Sequence, residues 1–145
     1  MNNLTKRLIL GMLLGLIFGL LCFVWFSSNP NMPTEMVSMQ VWAWNNPMMW
    51  TVIINRIVLG LVVAIAGFIT VSPFCNFKIP VFLRWAKIGV LISLLMATWV
   101  FIWNTSEWAW ATFWLIIWAG AVIGMIIDLI ITKIAGEWND LIIKK

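Results

Sequence analysis

The chain has 145 residues, 63% of them hydrophobic and 10% charged, with nine basic against five acidic side chains and a mean hydropathy of +1.03. A water-soluble domain of this length cannot hide so much apolar surface, because small domains leave a large share of their surface facing solvent. The composition excludes an ordinary soluble domain and makes lipid the expected solvent, for one domain over residues 1–145.

The first apolar run, residues 8–26, follows Lys6 and Arg7. Its core is longer than a secretory h-region and no A-x-A-like site follows at Ser27-Ser28-Asn29, so it reads as a permanent helix. Residues 27–47 form an outer loop that opens on turn formers and ends at Asn45-Asn46-Pro47, where Pro47 suits the first position of a helix. Met32, Met36, Met39, Met48 and Met49 gather in or beside this loop. Thioethers suit a soft ion such as Cu(I), but with no His or Cys in the loop a flexible apolar patch at the headgroups is the better reading, and no metal site is assigned.

The second run, residues 48–71, is apolar apart from Asn55 and Arg56. A cytoplasmic turn at 72–80, bounded by the helix breakers Pro73 and Pro80, leads to the third run, residues 81–103, with Arg84 and Lys87 in its first turns. A short outer turn then makes the third and fourth runs an antiparallel hairpin. The fourth, residues 108–132, is interrupted only by Asp128, and a cytoplasmic tail covers 133–145.

A hydrocarbon core of about 30 Å takes about 20 helical residues, and each run is long enough. None alternates as a transmembrane strand would, and a helix satisfies its own backbone groups in lipid. The expected fold is all-α: a polytopic integral membrane protein with a four-transmembrane-helix bundle. Placing the N-terminus inside puts every basic residue except Arg56 on the cytoplasmic side and only Glu35 and Glu107 outside. That bias predicts both termini inside a multi-pass protein of the cytoplasmic (plasma) membrane. Cations divided among short segments make a poor nucleic-acid footprint. Cys22 and Cys75 fall on opposite sides of the bilayer, too far apart to bond.

Each span carries small residues four apart, on one helical face. They are Gly11, Gly15 and Gly19; Gly60 and Ala64; Gly89, Ser93 and Ala97; and Gly120 and Gly124. Such faces let backbones approach closely, which matters where lipid gives no hydrophobic push between helices. The stripes predict close helix packing, within one chain or between copies. Extended by one step, they take in the two intramembrane charges, Arg56 and Asp128. Charges at such depth face protein or water, so the pair reads as structural anchors or as a polar transport path. The span boundaries place Arg56 near the outer edge, within reach of Glu35 or Glu107. They place Asp128 near the inner edge, within reach of Arg7, Arg84 or Lys87. The stretches around Arg7-x-x-x-Gly11 and Arg56-x-x-x-Gly60 also match, a hint of an inverted repeat.

Twelve Trp with no Tyr read mainly as an aromatic belt, with Trp99, Trp103 and Trp110 on the outer face and Trp85 on the inner. Trp114 and Trp118 continue from Trp110 at helical spacing, toward lipid tails, a partner helix or a hydrophobic ligand. With no His and only scattered acids, there is no haem ligand, zinc set or acid–base pair. The chain is expected to be non-enzymatic and without cofactors. Its expected role is a structural, accessory or assembly subunit. Its partners would be lipid and either further copies of itself or other membrane subunits. The alternative is a small oligomeric channel or transporter for an ion or hydrophobic solute.

Overall fold

The computed structural model describes residues 3–28, 47–66, 81–103 and 108–136. The described residues form four helices: α1 (Asn3–Ser27), α2 (Pro47–Ala66), α3 (Val81–Trp103) and α4 (Trp108–Ala135). Within them Leu4–Trp25, Met49–Ala66 and Ala109–Ala135 are long and apolar enough to cross a membrane, while the apolar stretch of α3, Trp85–Thr98, is shorter. Most of the outer loop, the cytoplasmic turn with Cys75, the outer turn and most of the tail lie outside the described residues.

Two helices outrun their apolar segments. α1 begins at Asn3, before the first apolar residue of its run, and α4 continues past Thr132 to Ala135. Lys and Arg are good helix formers, so a charge marks the end of an apolar segment without ending the helix. Gly136 ends α4 instead. Its φ of 79° is left-handed, and its N–H donates to Thr132 O at 3.0 Å, a glycine C-cap. At the far end of α1, the Ser27 and Ser28 hydroxyls both donate to Val24 O, at 3.0 and 2.8 Å.

The helices pack as two antiparallel pairs. In the first, α1 crosses α2 at Gly11 and Gly60. A Cβ on either glycine would run into the other's carbonyl oxygen, and one on Gly15 would meet the Arg56 carbonyl and lie 2.8 Å from Ile57 Cα. In the second pair, a Cβ on Gly89 would strike the Gly120 carbonyl, and one on Gly124 would lie 2.9 Å from Trp85 O. The small residues thus pair helices within one chain, backbone against backbone.

Between the pairs, Leu59 and Val63 of α2, Trp85 of α3 and Ile127 and Ile131 of α4 form a buried core. Phe23, Met49, Val52 and Ile53 form a second cluster toward the other end of α1 and α2. Met49 therefore faces the protein interior. Trp85, expected at the inner interface, is fully buried. Gly124 permits this, because its missing side chain lets the α3 backbone at Trp85 close onto α4.

Gly60→Ala should therefore destabilise the fold, although alanine is the better helix former. Its methyl has backbone in front of it, and overpacking costs about 1–3 kcal/mol. Leu13→Ile, on the exposed face of α1, should change little. Thermal unfolding in detergent, followed by tryptophan fluorescence, distinguishes them; equal melting temperatures would contradict the crossing.

Candidate functional site

The polar groups of the described helices gather in two buried clusters. Arg7, Arg56, Asp128 and Ser93 are 1%, 2%, 0% and 0% exposed. For side chains this polar, such burial demands partners.

The first cluster ties the start of the chain to two other helices. Arg7 lies four residues before Gly11, on the face that crosses α2. Its Nη1 donates to Gly136 O at 2.6 Å and its Nε to Ala64 O at 3.4 Å. Gly136 follows the last residue of α4, where carbonyls lack intrahelical donors and carry the negative end of the helix dipole. Arg7 Nη2 also lies 3.8 Å from Asp128 Oδ1, within ion-pair range, and Thr132 Oγ1 donates to the same oxygen at 3.2 Å. One guanidinium thus joins α1, α2 and α4, with a carboxylate beside it.

The second cluster lies deeper. Arg56 Nη1 donates to Ser93 Oγ at 2.8 Å, and Asn55 Nδ2 approaches Ile92 O at 3.5 Å. These contacts run from α2 to α3. Ser93 sits midway along Val81–Trp103, and the backbone of Arg56 lies against Gly15, midway along α1. Arg56 is therefore central in the bundle rather than at its outer edge. The helix that carries it spans Pro47–Ala66, and its side chain turns sideways into α3 instead of outward. Among the described residues Asp128 is the sole acid, and it pairs with Arg7. Arg56 Nε and Asn55 Oδ1 are buried with no hydrogen-bond partner among the described residues.

Of the stripe residues, Gly11, Gly15, Gly19, Gly60 and Ala64 lie in the α1/α2 contact, and Gly89, Ser93, Gly120 and Gly124 in the α3/α4 contact. Ser93 has a double role, seated against Gly120 and accepting from Arg56. Arg56 and Asp128 are not brought together. Trp110, Trp114 and Trp118 stand exposed along α4, and Phe101 and Phe113 brace the first two through edge-on ring contacts of 4.8 and 5.5 Å. The side chains of Trp99 and Trp103 lie outside the described set.

The sequence placed Arg7 within reach of Asp128, as the structure shows, but did not indicate its reach to Ala64 and Gly136, and Asn55 was passed over. The signal for Arg7 was its spacing, since it continues the Gly11, Gly15, Gly19 stripe by one step. The two Arg-x-x-x-Gly stretches also meet in space. With Gly11 against Gly60, Arg7 faces Ala64 while Gly15 faces the Arg56 backbone, so the crossing has local two-fold character. Compared with known proteins, the chain matches no family model, no curated protein and no solved structure.

Two stability outcomes follow. Arg7→Gln or Asp128→Asn alone should cost about 3–5 kcal/mol, since each strands a buried partner. Replacing both with apolar residues, as in Arg7→Met with Asp128→Leu, should cost less than the two single changes added together. A double-mutant cycle of detergent unfolding measures the difference, and strict additivity would mean that the two residues are energetically independent.

Proposed function

We propose that this chain is a non-enzymatic integral membrane protein whose four helices all cross the cytoplasmic membrane, with both termini inside, and that it serves as a structural, accessory or assembly subunit. One observation carries this reading: large apolar side chains cover the exterior while three charged side chains are buried between helices. Leu91, Leu95 and Trp118 are 69%, 73% and 69% exposed, while both arginines and Asp128 are sealed between helices. In water that surface would drive aggregation; in lipid it is a solvated exterior. A conduit needs charged groups facing an accessible path. Here Arg7, Arg56 and Asp128 are enclosed by packed helices, and Arg7 and Asp128 are engaged in joining them. That favours a scaffold over a channel. The exposed indoles of α4 and the aliphatic face of α3 are the surfaces offered to lipid, to further copies of the chain or to other membrane subunits.

Two measurements test the reading. An impermeant thiol reagent should leave Cys75 unlabelled in intact cells and label it after permeabilisation, with Cys22→Ser as background; labelling from outside reverses the topology. In proteoliposomes the wild type should carry no ion flux above empty vesicles, while gentle purification should give a mass above that of the monomer. Wild-type flux that vanishes in a fully stable Arg56→Leu would replace the scaffold with the channel.

A further inference from the structure

The two buried arginines are treated differently by the rest of the chain. Arg7 has a carboxylate at 3.8 Å and two backbone carbonyls as acceptors. Arg56, 2% exposed and deeper in the bundle, has one neutral hydroxyl, Ser93 Oγ, and its Nε has no hydrogen-bond partner among the described residues. A charge at such depth needs an opposite charge, backbone carbonyls or water close by. Among the described residues the sole carboxylate is already beside Arg7.

We propose that Arg56 and Ser93 bind a small monovalent anion, a halide, which serves as the internal counter-ion of the bundle. The donors suit an anion. Arg56 Nε–H is buried and unengaged. Ser93 accepts from Arg56 Nη1, which leaves its own O–H to donate elsewhere. One positive charge matches one negative charge. The close backbone contacts at Gly15, Gly19 and Gly120 around this cluster favour a monatomic ion over an organic carboxylate. Asn55 Oδ1, also buried without a hydrogen-bond partner among the described residues, is an acceptor and would accept a hydrogen bond from a water that enters with the ion. The halide is held rather than passed, so this site is independent of the scaffold reading. A subunit with no halide site, or a halide-binding protein with no partner, would separate the two.

The test uses the full chain in mild detergent. Wild-type protein should broaden the chloride NMR line, and bromide should compete this away. Its melting temperature should rise saturably in sodium chloride relative to sodium gluconate at equal ionic strength. Arg56→Gln should abolish both responses. Ser93→Ala keeps the charge and loses one hydrogen bond, so it should need about fivefold more chloride for half-saturation. This variant carries the test if Arg56→Gln does not fold. A linewidth equal to that of empty micelles would overturn the proposal, as would a chloride response unchanged in Ser93→Ala. It would also fall if Glu35→Gln or Glu107→Gln destabilised the protein as much as Arg56→Gln while chloride had no effect, since a carboxylate would then be the counter-charge.

Discussion

At the crossing of α1 and α2 the Gly11 and Gly60 backbones touch, and any side chain on either would hold the helices apart. The same constraint recurs where Gly89 meets Gly120. Close approach has two effects. It gains dispersion contacts along the whole crossing, which is the main attraction left once the surroundings are as oily as the side chains. It also fixes the register, because glycine fits glycine at one height only. Arg7 reaches Ala64 of α2, and Arg56 reaches Ser93, because the crossing sets those heights.

The second consequence is a division of labour between faces. The small and polar residues face neighbouring helices together with an aliphatic core, and many large aliphatic residues also face out. In a soluble bundle that outer face would be charged and polar. Leucine outside is inexpensive if lipid surrounds it. Charge inside is acceptable if acceptors are waiting, and Arg7 meets them in the carbonyls of Ala64 and Gly136. The bundle thus satisfies an arginine largely with backbone carbonyls.

Much of this was legible in the residues. The four apolar runs read directly as helices, since nothing else satisfies a backbone in such surroundings, and three are long and apolar enough to span. The four-residue spacing of small side chains marked the faces that meet in each pair. Depth and partnership were harder to read. Arg56 looked like an outer anchor because arginines near an interface commonly reach toward it. What draws it inward is Ser93, on a helix whose height relative to α2 no one-dimensional pattern encodes. Trp85 looked interfacial for a similar reason: tryptophan statistics describe lipid-facing positions, and Gly124 on a distant helix made this one internal. Arg7 was legible as a partner for Asp128, but its hold on the Ala64 and Gly136 carbonyls was not, because a basic residue before an apolar run is expected for topological reasons alone.

The link from Arg7 to Gly136 spans 129 positions, which sets an order on how the protein is made. α1 emerges from the ribosome first, carrying an arginine whose carboxylate and terminal carbonyl partners are synthesised last. The glycine crossings are more local, so each helical hairpin can close soon after its second member appears. Until α4 arrives, the carboxylate and the Gly136 carbonyl that Arg7 meets are not yet available, and a chain truncated before Asp128 would leave a buried cation without that counter-charge.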